Sequence, residues 1–214
     1  YEPGKVLIVV GSDPPRASAE KIDLTLPVPT WQSAGVMHTP RRQLNATMLP
    51  DGTVLVTGGS SGAGFNNAGA PALTAERWDP AQNTFTELAS ATRYRGYHSI
   101  ALLLPDGRVL SSGGDNEPNA EVFSPPYLFK GARPVVTSSP SGITYGESFF
   151  VDTPDATSIA AVRFAPPPST GAPPVPNIEW SAVEMTPGWT LTTVGSIRSA
   201  SQDEYVTTAS LDSA

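Results

Sequence analysis

The sequence repeats one pattern three times within its first 126 residues. Each copy has a glycine, a short hydrophobic strand, a glycine-rich turn and an Ala-Glu pair that opens a second strand. The glycines that begin the copies are Gly4, Gly52 and Gly107, spaced 48 and 55 residues apart. This period is typical of four-stranded propeller blades of about 50 residues and is too long for the shorter solenoid repeats.

Two of the copies contain a hairpin signal. Asp51-Gly52 and Asp106-Gly107 each separate two apolar runs. An Asp-Gly pair is suited to a two-residue type I′ turn, which needs positive φ at both central residues. The runs that precede these turns, at 46–49 and 99–104, are almost continuously apolar, and this predicts inner strands that are buried on both faces.

We therefore expect an all-β fold, a partial kelch β-propeller followed by other domains. The segments are about three blades of an incomplete ring at 1–126, a linker at 127–134, the beginning of an immunoglobulin-like β-sandwich at 135–165 and a disordered Pro/Ser/Thr-rich tail at 166–214. A propeller typically closes with four to eight blades, so the upstream blades are expected to lie outside this chain. An ordinary antiparallel meander or sandwich is the alternative fold for the repeats.

Composition narrows the possible functions. The 23 prolines and 19 glycines favour short strands and turns over long helices. The absence of cysteine excludes disulfides, Cys-ligated zinc or iron–sulfur sites and thiol catalysis. A net charge of −7 without a basic run argues against a nucleic-acid partner, and no apolar stretch is long enough for a membrane helix. Because the chain begins with Tyr1, we expect a processed chain or a fragment.

Two motifs point to a known family. Residues 95–109 read RGYHSIALLLPDGRV, and residues 123–128 read FSPPYL. Together with LPDG at 49–52 and TGG at 57–59, they resemble the galactose oxidase and glyoxal oxidase family of copper radical oxidases over residues 1–165. The resemblance implies the last blades of a seven-bladed kelch propeller and the start of an immunoglobulin-like domain. It also implies a secreted enzyme that oxidises a primary alcohol or aldehyde and reduces O2 to H2O2.

The resemblance also implies a metal site. In the family, copper is held by two histidines, an axial tyrosine and a second tyrosine that is cross-linked to a cysteine. Tyr97 resembles the axial tyrosine, which accepts the substrate proton, and His98 resembles one histidine ligand. Imidazole suits Cu(II), and a phenolate can act as a base. Consecutive strand residues point to opposite faces, so the two share a metal only where the chain enters the strand irregularly, which Gly96 would permit.

The sequence departs from the family in several places. The second histidine lies six residues beyond an arginine that Arg163 resembles, and this position is Ser169. Leu44 stands where relatives often carry a histidine, and no cysteine is present for the cross-link. A divergent ending, a replaced segment or an error in the reading frame would each explain the change after Phe164. The chain supplies two of the expected ligands, so we expect it to be inactive by itself.

The remaining candidates have structural interpretations. His38 is expected to be a solvent-facing loop histidine. The aromatic residues expected in the core between neighbouring sheets are Trp31, Trp78 and Phe85. The arginines that could meet a polar substrate, and that we expect to be solvated loop charges, are Arg41, Arg42, Arg93 and Arg95.

Three hypotheses about function follow. The first is a fragment or truncated homologue of a copper radical oxidase, whose parent acts on a small alcohol, aldehyde or carbohydrate outside the cell. The second is a non-catalytic kelch-type module that binds a carbohydrate or a protein. The third is an incomplete reading with no independent function, because open propeller edges invite pairing with other chains.

Overall fold

The protein is all-β in the computed structural model, which describes residues 1–9, 11–115, 117–132, 135–139 and 149–154 and four later strands. The strands are β1 Lys5–Val9, β2 Ser18–Asp23, β3 Gln32–Val36, β4 Arg42–Met48, β5 Val54–Ser60, β6 Thr74–Asp79, β7 Thr84–Ser90, β8 Ser99–Leu103, β9 Val109–Gly113, β10 Ala120–Phe123, β11 Ala160–Ala165, β12 Glu179–Glu184, β13 Trp189–Thr192 and β14 Ser210–Ser213. A 3₁₀ turn spans Pro126–Phe129. Within the described part of the chain, no helix is long and apolar enough to cross a membrane.

Consecutive strands pair antiparallel to build three main sheets. The first sheet has the order β1-β2-β3, the second β4-β5-β6-β7 and the third β8-β9-β10. All three lie in one compact unit, which comprises residues 1–104 and 108–125. The second unit comprises residues 105–107 and 126–214 and contains the pairs β11–β12 and β13–β14. Each copy of the sequence repeat therefore corresponds to one main sheet.

The hairpin between β4 and β5 lies where the sequence predicts it, but the turn type is wrong. Gly52 has φ +83°, whereas Asp51 has no positive φ. The amide of Gly52 donates to the Leu49 carbonyl at 3.0 Å, and the amide of Leu49 donates to the Thr53 carbonyl at 2.9 Å. This is a three-residue loop with a type I turn and a bulge at the glycine. Pro50 explains the difference, because its fixed φ suits the second position of a type I turn.

The second sheet holds most of the core, and its second strand is the most deeply buried. All seven residues of β5 are buried. The inner strands β4 and β8, which the sequence predicts to be buried on both faces, are instead only partly buried, and Ile100 and Leu102 of β8 are 46% and 49% exposed. β5 is buried because β4 and β6 flank it and the other two sheets contact the second sheet.

Two of the three predicted core aromatics are buried. Trp78 is fully buried, Phe85 is 6% exposed, and both belong to one cluster with Ala34. The indole Nε1 of Trp78 donates to the Ala34 carbonyl at 2.8 Å, which links the second sheet to the first. Trp31 is 48% exposed, so its prediction is wrong. Trp31 precedes β3 rather than lying in a strand, and no sheet position directs it inward.

The expectation of solvated loop charges is wrong for Arg41 and Arg95, which are 0% and 1% exposed. Arg41 Nη2 lies 2.6 Å from Glu76 Oε1, and Arg95 Nη2 lies 3.4 Å from Glu121 Oε2. Each buried arginine donates hydrogen bonds to a glutamate and to backbone carbonyls, which compensate for the burial of its charge.

The region after residue 126 is described only in parts. Ser138 and Asp152 form an isolated antiparallel bridge, and β11 pairs with β12. Within 166–214, where the weak periodicity of the sequence predicts little regular structure, the described residues are the strands β12, β13 and β14. Ser169 and the proline-rich run around it lie outside the described residues.

Candidate functional site

Tyr97 and His98 immediately precede β8, and their rings lie on the same side of the chain. The ring centroids are 3.8 Å apart, and the ring planes are tilted by 34°. His98 has φ +64°, a left-handed conformation that is uncommon for residues other than glycine. With this left-handed residue, consecutive side chains no longer alternate between the two faces of a strand. The phenol of Tyr97 and the imidazole of His98 can therefore lie side by side. The irregular entry expected from the sequence is present, with His98 as the residue that adopts it.

Gly96 serves this site in a different way from the one the sequence predicts. It has no positive φ, so it does not supply the irregular backbone. A Cβ at this position would instead overlap the phenol of Tyr94 and press on Oδ1 of Asn66. The missing side chain therefore makes room for a hydrogen bond of 2.8 Å from Tyr94 Oη to Asn66 Oδ1.

The imidazole of His98 is held by a carboxylate. Nδ1 of His98 lies 2.9 Å from Oδ1 of Asp115, which follows β9. An ionised carboxylate only accepts hydrogen bonds, so Nδ1 is the donor, and in the neutral imidazole the lone pair lies on Nε2. The His98 side chain is 65% exposed. A histidine with one ring nitrogen fixed by a carboxylate has the arrangement that metal-ligating histidines commonly show.

A loop of the second sheet completes the surroundings of this pair. Asn66 lies between β5 and β6, and its Oδ1 accepts a hydrogen bond of 3.0 Å from the amide of Tyr97. Its Nδ2 donates to Oδ2 of Asp115 at 2.9 Å. Phe65 packs edge-on against the ring of Tyr97, with the centroids 4.8 Å apart. The site therefore takes residues from two neighbouring sheets.

Left-handed backbone concentrates here. The non-glycine residues with positive φ in the described part of the chain are Gln43, Asn66, Asn83 and His98. Three of them belong to this cluster, because Oε1 of Gln43 accepts a hydrogen bond of 2.9 Å from the amide of Asn66. Residues in sparsely populated regions of φ/ψ space persist where the surrounding structure holds them there, and such residues are common at functional sites.

Burial favours the neutral form of the nearby Tyr94. Burial, with a further contribution from the negative charge of Asp115, raises the pKa of the Tyr94 phenol above its ordinary value. The hydroxyl therefore remains a hydrogen-bond donor to Asn66. This fixes the amide of Asn66 with its oxygen toward Tyr94 and its nitrogen toward Asp115.

The chemistry of this donor set fits part of a copper site. Tyr97 is 41% exposed and the His98 side chain is 65% exposed, so both side chains are accessible to a metal. Among the described residues, no group of three or more His, Cys, Asp and Glu side chains could hold a metal ion. Leu44 packs against the hydrophobic core and offers no ligand. Within this cluster, Tyr97 and His98 are the residues that could hold a metal, through the phenol oxygen and through Nε2.

The other histidine lies away from this cluster. His38 is half exposed in the loop before β4, as the sequence predicts. Its Nδ1 lies 3.3 Å from Oε2 of Glu76, and its amide donates to the same oxygen at 2.7 Å. His38 therefore helps to fix the loop around the Arg41–Glu76 ion pair.

Sequence reasoning missed Asn66 and Asp115. A positional signal was available, because both residues follow the Gly-Gly pair that ends the second strand of their repeats, at 58–59 and at 113–114. Equivalent ends of neighbouring sheets bring such residues close to the Tyr97 and His98 pair.

The chain is similar to known proteins, and a family model shows the family to which it belongs. It is similar to a solved fungal alcohol oxidase of the AA5 family in complex with copper, with a TM-score of 0.68 at 22% identity. That similarity covers 97% of this chain and 51% of the solved one. The family model described as Glyoxal oxidase N-terminus matches residues 12–127, more than half of the chain. The chain therefore belongs to the galactose oxidase and glyoxal oxidase family, as its motifs predict.

Curated relatives agree with this assignment. The chain is 35% identical over 158 residues to "Aldehyde oxidase GLOX" of Vitis pseudoreticulata, a match that covers 64% of this chain and 30% of the relative. It is 33% identical over 152 residues to "Galactose oxidase" of Gibberella zeae, with coverage of 64% and 22%. The chain thus spans less than a third of the length of these relatives.

Proposed function

We propose that this chain is part of a copper radical oxidase that oxidises a primary alcohol or an aldehyde and reduces O2 to H2O2. The observation that carries the proposal is the side-by-side placement of the Tyr97 phenol and the His98 imidazole at a left-handed strand entry. Membership of the galactose and glyoxal oxidase family and the fold of a copper-containing alcohol oxidase support it.

Each residue of the pair has a distinct role in this proposal. His98 holds the metal through Nε2, because Asp115 occupies Nδ1. Tyr97 would be the second ligand, and its phenolate oxygen would accept the hydroxyl proton of the substrate to become a phenol. Copper supplies one-electron redox capacity when bound. The substrate class is a small alcohol, aldehyde or carbohydrate, and we place the parent protein outside the cell.

The architecture that we propose follows the repeats. The three main sheets are consecutive kelch blades at 1–126, and upstream blades of the same propeller complete the ring. A linker at 127–134 leads into the first strands of an immunoglobulin-like domain at 135–165, followed by a divergent tail at 166–214. The missing cysteine, and Ser169 at the position of the second histidine, leave the chain without the full ligand set, so it is inactive by itself.

Copper binding by the whole 214-residue chain tests the proposal. Cu(II) titration followed by electron paramagnetic resonance is expected to show nitrogen coordination that His98→Ala abolishes and Tyr97→Phe alters. His38→Ala is the matched control and is expected to leave the spectrum unchanged. Equal spectra for the two histidine variants would refute the metal site. Peroxide formation by the copper-treated chain with a panel of alcohols would refute its inactivity.

A non-catalytic kelch-type binding module is the second candidate. The observation that favours it is that no group of three or more His, Cys, Asp or Glu side chains among the described residues could hold a metal ion, together with the absence of cysteine from the sequence. In that case the loop around Phe65, which is 65% exposed, would contact a carbohydrate or a protein directly. Binding of a carbohydrate panel without added copper, unchanged by His98→Ala, would support this function over the oxidase.

A further inference from the structure

We propose that Asn66, acting through Asp115, is a positioning residue for the Tyr97 and His98 pair, and that it sets the His98 tautomer that leaves Nε2 unprotonated. The importance of this tautomer for copper rests on the proposed function. The positioning itself is a property of the metal-free chain and can be measured without copper.

The amide of Asn66 reaches both members of the pair. Oδ1 accepts from the backbone amide of Tyr97 at 3.0 Å, and an amide N–H can only donate. This contact fixes the orientation of the side-chain amide, so Nδ2 must face Asp115, where it lies 2.9 Å from Oδ2. One side chain thus holds the main chain of Tyr97 and the carboxylate beside His98.

Asp115 depends on this contact for its orientation. Its side chain is 42% exposed and follows a glycine-rich exit from β9, so little packing holds it in place. With Nδ2 of Asn66 on one oxygen, the other oxygen faces Nδ1 of His98 at 2.9 Å. The carboxylate keeps the proton on Nδ1, because it has no proton to donate.

The backbone of Asn66 is itself held in place. It has φ +51°, a conformation that asparagine tolerates better than most residues. Its amide donates to Oε1 of Gln43, and its Oδ1 also accepts from Tyr94. These contacts make Asn66 a fixed connection from the second sheet to the entry of β8.

The test is the tautomer of His98 in the metal-free, full 214-residue chain, measured by 15N NMR at mildly alkaline pH. The sequence has only two histidines, so His38 serves as the internal reference. We expect wild-type His98 to be protonated mainly on Nδ1. Asn66→Asp retains the acceptor Oδ1 but places a second carboxylate against Asp115, and it is expected to lower the ratio of Nδ1-H to Nε2-H by several-fold.

The matched control is Asn83→Asp. Asn83 has a similar φ of +55°, and its Oδ1 accepts from Lys21 Nζ, a contact that aspartate preserves. This variant is expected to leave the His98 tautomer unchanged. Asp115→Asn, at a half-exposed loop position, is the second variant if Asn66→Asp does not fold, and the same tautomer shift is expected.

Copper affinity gives a second readout. Asn66→Asp and Asp115→Asn are each expected to weaken Cu(II) binding by about 10-fold or more relative to Asn83→Asp. A His98 tautomer in folded Asn66→Asp that equals the one in Asn83→Asp, or a tautomer unchanged by Asp115→Asn, would overturn the positioning role. A shifted tautomer together with copper affinity that is insensitive to His98→Ala would confirm positioning and refute the oxidase function, so the two failures are distinguishable.

Discussion

Arg41 and Glu76 form an ion pair in which both side chains are fully buried and Nη2 lies 2.6 Å from Oε1. Glu76 also accepts hydrogen bonds from the amides of His38 and Thr39, at 2.7 and 3.1 Å. The pair therefore ties β6 to the loop that leads into β4. It explains the Ala-Glu doublet of the second repeat, because the glutamate satisfies a buried arginine and two loop amides.

Neutralising Glu76 is expected to destabilise the protein strongly. Glu76→Gln leaves the charge of Arg41 buried without a counter-ion, and breaking such pairs costs about 3–5 kcal/mol. Urea denaturation measures the free energy of unfolding. Glu87→Gln is the control, because Glu87 is exposed on the neighbouring β7 and pairs across the strands with Glu76. Equal losses in the two variants would contradict a structural role for the ion pair.

The third sheet also has a buried arginine next to a glutamate, Arg95 and Glu121, and the stability that this pair contributes depends on pH. Burial acts to raise the pKa of Glu121, but hydrogen bonds from the amide and hydroxyl of Thr92 and the charge of Arg95 outweigh it, so the pKa lies below its ordinary value. A carboxylate with a lowered folded-state pKa stabilises the fold above its unfolded value of about 4.3. This contribution is lost as the pH falls through the folded pKa.

Glu121→Gln is therefore expected to lower stability near neutral pH by about 1 kcal/mol, because Glu121 is one-quarter exposed and its contacts are partly screened. The difference from wild type should shrink as the pH falls below about 4. Thermal melting across this range measures the effect. A difference that stays constant with pH would show that the Glu121 charge does not contribute.

Two glycine variants distinguish the cost of a close contact between the first two sheets from the cost of a left-handed backbone. Gly35 and Gly64 have similar φ values of +94° and +90°. A Cβ at Gly35 would overlap the carbonyl oxygen of Asn83, whereas a Cβ at Gly64 would meet nothing within 4 Å. Gly64→Ala is expected to cost about 1 kcal/mol for the left-handed backbone, and Gly35→Ala several times more. Equal costs in urea denaturation would refute the close contact.

Filling Gly96 is expected to disturb the candidate metal site. Gly96→Ala pushes the phenol of Tyr94 away from Asn66, so the hydrogen bonds that place Tyr97 are weakened. We expect lower Cu(II) affinity together with reduced thermal stability. Gly11→Ala is the control, because its Cβ would make only ordinary contacts of 3.6 Å with Arg42. Unchanged copper affinity in Gly96→Ala would separate the Tyr94–Asn66 contact from the site.

The repeat in the sequence predicts the strands and their order because that information is local. It predicts the position of the hairpin at Asp51-Gly52 but not its type, since Pro50 begins the reversal one residue earlier. Burial of Arg41 could not be predicted, because its partner Glu76 lies 35 residues away in the sequence.

The residues of the candidate site also differ in whether the local sequence identifies them. Tyr97 and His98 are adjacent in the chain, so a local motif identifies them. Asn66 and Asp115 reach them across 31 and 17 residues. Their contribution depends on how two sheets meet, which the spacing of residues within one repeat does not encode.

The contact between Asn66 and Tyr97, which precedes the first strand of the neighbouring sheet, decides how much of the chain must be grafted to move the site into another protein. The third sheet and its strand entry, moved into another protein, would carry the Tyr97 phenol and the His98 imidazole but would leave behind the Asn66 amide that aligns them. Two adjacent repeats are the smallest module that transfers the arrangement intact, and substitutions in the loop of one should co-evolve with the dipeptide of the next.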